Sequence, residues 1–455
     1  MKKMVSGELT AFLSLIFLLL LALVGAALES ASIQVLKNEK RADAGRATES
    51  VFAEYQKELL EKYEVFALEG TYESGTMSED AVLNRLSFYG AENMQITTEA
   101  VRYLTDENGR PFYHQAVEYE KEKTGAAALG DLTGNIPLWQ DQEQQTEEYG
   151  KENTETSVEL EQMLQDEEQG LLQEDNPLET VSQVRAGGLL NIVLPEGFKL
   201  SQKTTELSDT VSHRNLRKGY GSLKAPEDSG ADAIFFNLYL ADSFGNAVDQ
   251  KEDTAFAYEM EYLLSGRSSD AENLEESVNK ICMIRCAANY AYLLTDTTKQ
   301  AEAEVLAGTL CTLLAVPGIT TVVKHALLLA WAYGEAVVDV RTLLDGKKVP
   351  LAKTAQTWQI SLTGLMNLKD AASVQEGAGA ETGFSYGQYL QALLLMKGKE
   401  ELSMRALDLV EQNMKTVYGQ TYFQADYCLT GARFHMTCPL RREVRYEFTT
   451  VYQYH

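Results

Sequence analysis

The hydrophobic pattern is dominated by one apolar run near the N-terminus. Residues 9–28, LTAFLSLIFLLLLALVGAAL, contain no charged side chain, and no second run of similar length occurs in the sequence. At 1.5 Å per residue a helix of this length spans about 30 Å, the thickness of a bilayer's hydrocarbon core. The run therefore predicts a single transmembrane helix that contacts the lipid bilayer through residues 9–28.

The charges beside the run predict its orientation. Lys2 and Lys3 precede it, which favours a cytoplasmic tail over residues 1–8 and an extracytoplasmic location for the rest of the chain at the cell membrane. A cleaved secretory signal is the alternative, since Gly25, Ala26 and Ala27 supply small residues. The apolar run is long for a signal and has no polar spacer before those residues, so an anchor is favoured.

Helical spacing continues after the apolar run ends. An apolar stripe recurs every three or four residues, which predicts a stalk helix over residues 29–70, ending at Gly70. This stripe needs a partner, and the chain's own outer domain is favoured over another subunit. Its members are Ala44, Ala47, Val51, Tyr55, Leu59, Tyr63 and Phe66.

Beyond the stalk, the pattern predicts three further regions. Residues 71–135 predict a small mixed unit with a helix over 80–89, a strand over 94–104 and a turn at 106–109. Residues 136–188 predict an acidic linker or solvated helix, because residues 140–176 carry 13 Asp and Glu against one Lys. Residues 189–455 predict a helix-rich domain.

Within residues 189–455, some segments have the hydrophobic pattern of strands and others that of helices. Two short apolar runs, residues 189–195 and 233–240, have strand composition. Residues 254–344 read as helices, one of which begins at a capping box formed by Ser269 and Glu272. Residues 444–454 alternate like a strand with one buried face, and a turn at 438–441 joins it to a partner strand. The fold class is therefore α+β and helix-rich, with an N-terminal transmembrane helix, a stalk helix and a C-terminal antiparallel strand pair.

Charge and motifs limit the chemistry. A net charge of −27 excludes nucleic acid as the main ligand. The sequence contains no phosphate-binding loop and no pair of His at metal-ligand spacing, so no catalytic residue, cofactor site or metal site is predicted. Cys282 and Cys286 are one helical turn apart and are typical of small core residues.

One pair of acids stands inside an apolar helical run. Glu335 and Asp339 are four residues apart. They fit an internal ion pair with Arg285 or Arg341 better than an acid–base or cation-binding site. An enzyme would place both acids in an open pocket, whereas a structural pair would be ion-paired in the core.

Two parts of the sequence resemble known families. The stretch from Ser6 to Tyr55, SGELTAFLSLIFLLLLALVGAALESASIQVLKNEKRADAGRATESVFAEY, resembles the N-terminus of the pseudopilin-like TadE/TadG proteins of tight-adherence (Tad or Flp) pilus systems. The segments EYLLSGRSSDAENL, ANYAYLLTD, LLLAWAYGEAVVDVRTLLDGKKVPLAKTAQTW and FSYGQYLQALLLM resemble an uncharacterised family of clostridial membrane-anchored proteins found with such pilus genes.

The pilin resemblance implies a processing glycine and a glutamate at the fifth mature position. If Gly7 is that glycine, the fifth residue is Phe12, and the nearby acid is Glu8 at the first position. The charge pair that would register subunits in a fibre is thus missing, which favours a minor or accessory role over that of a major pilin.

The leading hypothesis is a non-enzymatic, single-pass envelope protein that acts as an accessory or minor pseudopilin-like component of a Tad-type pilus or surface assembly system. Its partners would be pilus or envelope assembly proteins. Gly25, Ala26 and Ala27 are candidate contacts with other membrane helices, because small residues permit close approach. A membrane-tethered envelope enzyme and a ligand-binding module are the alternatives.

Overall fold

A computed structural model describes residues 5–124, 128–166, 176–313, 317–368, 379–380, 382–441 and 444–454. Parts of the predicted cytoplasmic tail (residues 1–4) and of the predicted linker (residues 167–175) lie outside the described residues.

The helices are named in chain order. They are α1 (Val5–Phe52), α2 (Lys57–Tyr63), α3 (Glu79–Phe88), α4 (Asp106–Thr124), α5 (Ala128–Asp166), α6 (Pro177–Gly187), α7 (Leu190–Val193), α8 (Asp232–Ser243), α9 (Glu259–Ser265), α10 (Asp270–Thr295), α11 (Thr297–Leu313), α12 (Thr320–Leu344), α13 (Tyr386–Leu395) and α14 (Lys399–Thr416). The strands are β1 (Leu68–Glu69), β2 (Gln95–Tyr103), β3 (Cys428–Pro439) and β4 (Arg445–Gln453). Short 3-10 turns lie at Leu207–Asp209, Pro317–Ile319, Thr363–Asn367 and Ala425–Tyr427.

The chain divides into two compact units. Unit 1 comprises Met1–Gln115, Asn215–Glu227 and Gly419–His455, and unit 2 comprises Ala116–Arg214 and Asp228–Tyr418.

Unit 1 is built on an antiparallel sheet whose central strand is β3. Strand β2 pairs along one edge of β3, from Gln95 opposite Thr437 to Tyr103 opposite Leu429. The other edge of β3 pairs with β1 at its start and with β4 along the rest of its length. The sheet therefore joins residues from both ends of the chain.

The C-terminal part of α1 packs on one face of this sheet. Ala44, Ala47 and Val51 are fully buried in the core of unit 1, and the ring of Phe52 stacks on Tyr452 with 4.6 Å between centroids. The Tyr454 hydroxyl donates to the carbonyl oxygen of Phe52. Small residues on the helix let its backbone approach the sheet, and the aromatic residues of β4 close the far end.

The predicted stalk helix does not continue to residue 70, because α1 ends at Phe52. Gln56 is extended (φ −70°, ψ 111°), and its N–H donates to the carbonyl of Ala67 at 2.8 Å. Its side chain also accepts from the Glu58 N–H and so caps α2. At the helix end itself, the Glu49 and Val51 carbonyls accept from the N–H groups of Ala53 and Glu54.

The other elements of unit 1 follow the pattern of the sequence. The predicted helix over residues 80–89 is α3, and the strand over 94–104 is β2. Glu107, Asn108 and Gly109 have left-handed φ values of 51°, 58° and 78°, so the predicted turn is present at the start of α4. The C-terminal strand pair is β3 and β4, which confirms the helix-rich α+β fold class with its long N-terminal helix.

Unit 2 is helical, and α10 and α12 pack against each other in it. Helices α5, α9 and α11 contact this pair. The Ser269 side chain caps α10 by accepting from the Glu272 N–H, which is one of the two hydrogen bonds of the predicted capping box. Trp331 on α12 and Arg285 on α10 are among the largest fully buried side chains.

Two strand predictions in unit 2 are wrong. Residues 189–195 contain helix α7, and residues 233–240 lie within α8. Helix α8 buries Ile234, Phe235, Phe236, Tyr239 and Leu240, so it is apolar on more than one side. Such a helix has no polar face, and a short apolar run of this kind cannot be told from a buried strand by its period.

The described part of the acidic segment up to Asp166 belongs to helix α5, in line with the helical alternative of the prediction. Trp139 and Tyr149 are buried, with Trp139 at 5.1 Å from Tyr389 and Tyr149 at 5.8 Å from Tyr290 between ring centroids. A few large aromatic residues therefore dock a helix whose remaining residues are mostly charged or polar.

We expect Phe52→Ala to destabilise unit 1 by about 3–5 kcal/mol, because it removes the ring that stacks on Tyr452. Hydrogen–deuterium exchange of β4 amides in the full-length protein should then be faster by roughly two to four orders of magnitude. The control is Glu49→Ala, an exposed position one turn earlier. Equal exchange in the two variants would contradict the packing role of Phe52.

Candidate functional site

The first part of α1 packs against no other part of the described chain. Every side chain from Leu9 to Leu28 is exposed, and an 18-residue window in this helix has a mean hydropathy of 2.8 with none of it buried. Among the described residues, α1 is the one helix that is both long enough and apolar enough to cross a membrane. An apolar surface of this length requires lipid or another apolar surface around it.

The small residues near the end of this segment face open space. A Cβ atom added at Gly25 would meet no other atom of the chain within 4 Å. Ala26 and Ala27 are likewise exposed. The fold of this chain therefore does not itself require small residues here, and they leave a shallow surface on the helix.

The predicted stripe divides where α1 ends. Ala44, Ala47 and Val51 lie in the core of unit 1 against the chain's own sheet, and Leu59 and Tyr63 are buried on α2. Tyr55 is 37% exposed in the turn, and Phe66 is half-buried, stacked on Tyr454. The single stripe predicted from the sequence is thus two short buried faces joined by a turn.

Glu335 and Asp339 lie in the interior of unit 2 and share one cation. The Lys353 ammonium is 2.5 Å from Glu335 Oε1 and 2.6 Å from Asp339 Oδ1. Asp339 Oδ2 also accepts from Arg285 Nε at 3.0 Å, whereas Glu335 Oε2 accepts from the backbone N–H of Ile360 at 2.9 Å. All four charged side chains are almost completely buried.

This cluster is electrically balanced, with two acids and two bases. Burial and the neighbouring Asp339 charge raise the pKa of Glu335, and Lys353 and the Ile360 N–H oppose that rise. Asn289 Nδ2 adds a hydrogen bond to Asp339, and Tyr389 OH accepts from Arg285. The oxygens of both acids are therefore occupied, as in an internal ion pair. The sequence indicated Arg285 as a partner but gave no sign of Lys353.

Three other buried acids in unit 2 were not predicted. Burial raises the pKa of Glu259 and of Glu261 to about 7, and that of Asp408 to about 6. Each is held by donors from distant residues: Glu261 accepts from the Ala247 N–H at 2.9 Å and from the Tyr386 hydroxyl at 2.8 Å. The charges of Lys251 and Lys203 oppose the rise at Glu259, and hydrogen-bond donors oppose it at Glu261 and Asp408.

A polar cleft of about 420 Å³ opens in unit 1 between the end of α1 and residues 419–423. Glu54, Glu69 and Glu73 line it together with Tyr72. Glu69 accepts from the N–H groups of Thr71 and Glu73, and Glu54 accepts from the Tyr89 hydroxyl at 2.6 Å. A cleft with this lining is suited to a hydroxylated or cationic group and lacks the apolar walls typical of small-molecule pockets.

The candidate metal ligands and the thiols are dispersed or buried in the part of the chain that the structure describes. There, no group of three or more His, Cys, Asp or Glu side chains is arranged to hold a metal ion. All five cysteines are buried. Cys282 and Cys286 lie on α10 in the core of unit 2.

The matched family is one of unknown function. Residues 167–440, more than half of the chain, match the family DUF5702, and the chain belongs to that family. The match contains the four segments whose resemblance to an uncharacterised family is noted above. No curated protein and no solved structure matches the chain.

We expect Lys353→Met to destabilise unit 2 by about 3–5 kcal/mol, because it leaves a buried carboxylate without its cation. The control is Lys347→Met, which alters a half-exposed pair with Asp345 and should cost at most about 1 kcal/mol. The double variant Glu335→Gln, Lys353→Met should recover part of the loss. Denaturant unfolding followed by tryptophan fluorescence measures this, since Trp139, Trp331 and Trp358 all lie in unit 2. Unchanged stability in Lys353→Met would be inconsistent with a structural pair.

The raised pKa of Glu261 makes the free energy of unfolding depend on pH. With a pKa near 7 when folded and an ordinary value of 4.5, Glu261 binds more protons in the folded state between these values. Its contribution to stability is therefore full below pH 4.5 and is lost as the pH rises to about 7, a change of about 3 kcal/mol. Glu261→Gln should flatten the pH dependence of the free energy of unfolding by that amount, whereas the exposed Glu275→Gln should not. Parallel curves for wild type and Glu261→Gln would refute the raised pKa.

Proposed function

We propose that this protein is a single-pass, membrane-anchored envelope protein that serves as an accessory or minor pseudopilin-like component of a Tad-type pilus or related surface assembly system. It acts through protein–protein contacts and not by catalysis. The N-terminus is cytoplasmic, and both units lie outside the cytoplasm. The resemblance of residues 6–55 to TadE/TadG proteins and of four later segments to a pilus-associated family supports this setting.

The main support for the proposal is that α1 has an exposed apolar part and a part buried in a folded core. The same uninterrupted helix is bare and apolar over Leu9–Leu28 and is buried in the sheet of unit 1 from Ala44 to Phe52. A helix built into a folded core transmits its position in the membrane to the unit that it carries. This favours a fixed structural component over an enzyme on a flexible tether.

The buried stripe also limits where assembly partners can bind. Because Ala44, Ala47 and Val51 already contact the chain's own sheet, another subunit cannot use that face. The exposed apolar segment remains, and Gly25, Ala26 and Ala27 allow a second helix to approach closely. Lateral contact within the membrane is therefore the interaction that we assign to the N-terminal segment.

Closed, charge-balanced packing around Glu335 and Asp339 supports the non-catalytic part of the proposal. Neither acid lines the clefts of unit 1 or the cleft of unit 2 beside α5, α6 and α12. A catalytic carboxylate needs an oxygen within reach of a substrate.

Shearing of intact cells followed by immunoblotting tests this proposal. We expect full-length protein to leave with the surface fibres in part and to remain with the membrane in part. Gly25→Ile should reduce the fibre-associated share several-fold and leave the membrane-bound amount unchanged, because a larger side chain blocks close helix approach without touching the chain's own fold.

The matched control is Leu23→Ile, an apolar exchange at a position that is 65% exposed in the same segment. Protein found in the membrane alone, in wild type and both variants, would contradict a role in the fibre. Shortened protein free in the medium would show that residues 9–28 are a cleaved signal.

A further inference from the structure

The described residues at the β3–β4 connection, 439–441 and 444–446, lie on the side of unit 1 from which the exposed apolar segment of α1 emerges. These residues are called the hairpin tip. Tyr446, near the start of β4, has the Lys37 ammonium at 5.0 Å and the Arg41 guanidinium at 5.3 Å from its ring centroid. Farther along, the Thr450 hydroxyl meets that of Thr48. Strand β4 therefore runs beside α1 in the same direction, and the hairpin tip points toward the apolar segment.

The length of β4 between its two contacts with α1 matches the length of helix between the same contacts. Four strand residues from Tyr446 to Thr450 cover about 13 Å at 3.3 Å each. Nine helix residues, from the level midway between Lys37 and Arg41 to Thr48, cover about 14 Å at 1.5 Å each. Because these lengths match, positions on β4 can be converted into levels along α1.

By that conversion the hairpin tip reaches the membrane surface. Val444 is two strand residues before Tyr446, or about 7 Å, which places it level with residues 34–35. That level is about 9–10 Å beyond Leu28, the end of the apolar run, whereas the headgroup layer on each side of a bilayer is about 5–8 Å thick. Arginine side chains at the tip extend far enough to cover the difference.

The side chains at this level have the character of a membrane interface. Val35 is 64% exposed and Val444 37% exposed, although both are apolar. Helix residues 37–41 follow farther out, about 14–20 Å beyond Leu28. Over these residues and the described hairpin residues 439–441 and 444–446, the charged side chains are five basic ones and Glu39. The basic residues are Lys37, Lys40, Arg41, Arg441 and Arg445. This concentration occurs in a chain whose net charge is −27.

We propose that the β3–β4 hairpin tip is a second membrane contact that binds the phosphate groups of anionic phospholipids, and that the basic turn of α1 behind it adds a longer-range electrostatic attraction. We call the five basic residues the basic collar. The inference rests on the proposed function in that residues 9–28 must span the bilayer. Anionic headgroups attract the basic collar while they repel the acidic remainder of the chain, so the contact fixes the orientation of unit 1 at the surface.

The test uses full-length protein in vesicles of phosphatidylcholine with or without phosphatidylglycerol. A bimane fluorophore is attached at Val444→Cys, which is selective because the five native cysteines are buried. The vesicles contain a lipid with a nitroxide on its headgroup. The matched control is Val451→Cys, which is exposed on the same strand but about 23 Å farther from the tip.

We expect several-fold stronger quenching at position 444 than at 451, and stronger quenching with phosphatidylglycerol than without it. Added salt should weaken the phosphatidylglycerol effect. Arg441→Gln with Arg445→Gln should reduce the preference for phosphatidylglycerol roughly fivefold for each charge removed. Arg433→Gln, on the same sheet and far from the tip, should leave it unchanged.

Two results would overturn the inference. Equal quenching at 444 and 451 would show that the tip does not reach the headgroups. Quenching at 444 that is the same in both lipid mixtures would show a contact without anionic selectivity. Flotation of the vesicles after alkaline extraction separates the two proposals: protein that fails to float refutes the anchor itself, whereas protein that floats with an unquenched tip refutes the headgroup contact alone.

Discussion

The packing of α1 on the sheet of unit 1 is the interaction on which the rest of unit 1 depends. One helix of 48 residues has two environments, bare over its apolar first part and enclosed by protein over its last turns. Ala44 and Ala47 make close approach possible, while Phe52, Tyr452 and Tyr454 supply the apolar area. Helices α1 and α3 bury one face of the sheet together, since their residues share a core with residues of β2, β3 and β4.

The core of unit 2 is organised by a buried network of charged side chains. Its core helices α10 and α12 bring charges into the interior and satisfy them there, with Lys353 bridging two acids and Arg285 reaching Asp339, Tyr389 and the Leu351 carbonyl. Buried networks of this kind add little stability relative to an apolar core, but they penalise any packing that separates their members. They specify one arrangement of the helices.

Periodic patterns in the sequence predicted the elements with one exposed face. The alternation in residues 444–454 identified β4, and the capping signal at Ser269 identified the start of α10. The end of α1 was missed because no glycine or proline marks it, and the deciding hydrogen bond joins Gln56 to Ala67. Helix α8 was mistaken for a strand because it is apolar on several sides. Lys353 lies in an irregular segment, so its contact with Glu335 exists only in the folded chain and leaves no periodic signal.

The three-segment make-up of unit 1 has a consequence for the order in which the protein folds. Strand β2 pairs with β3 across more than 300 residues of chain, and α1 is covered by β4, which is made last. The loop-closure entropy for such a separation grows only slowly with length, but the pairing cannot begin until the C-terminal hairpin has been synthesised. Meanwhile the long central segment can build unit 2 from its local helical contacts. Unit 1 is thus completed last. A chain interrupted before β3 would keep α1 but lack the sheet, so the buried face of α1, with Ala44, Ala47 and Val51, would be exposed to other proteins.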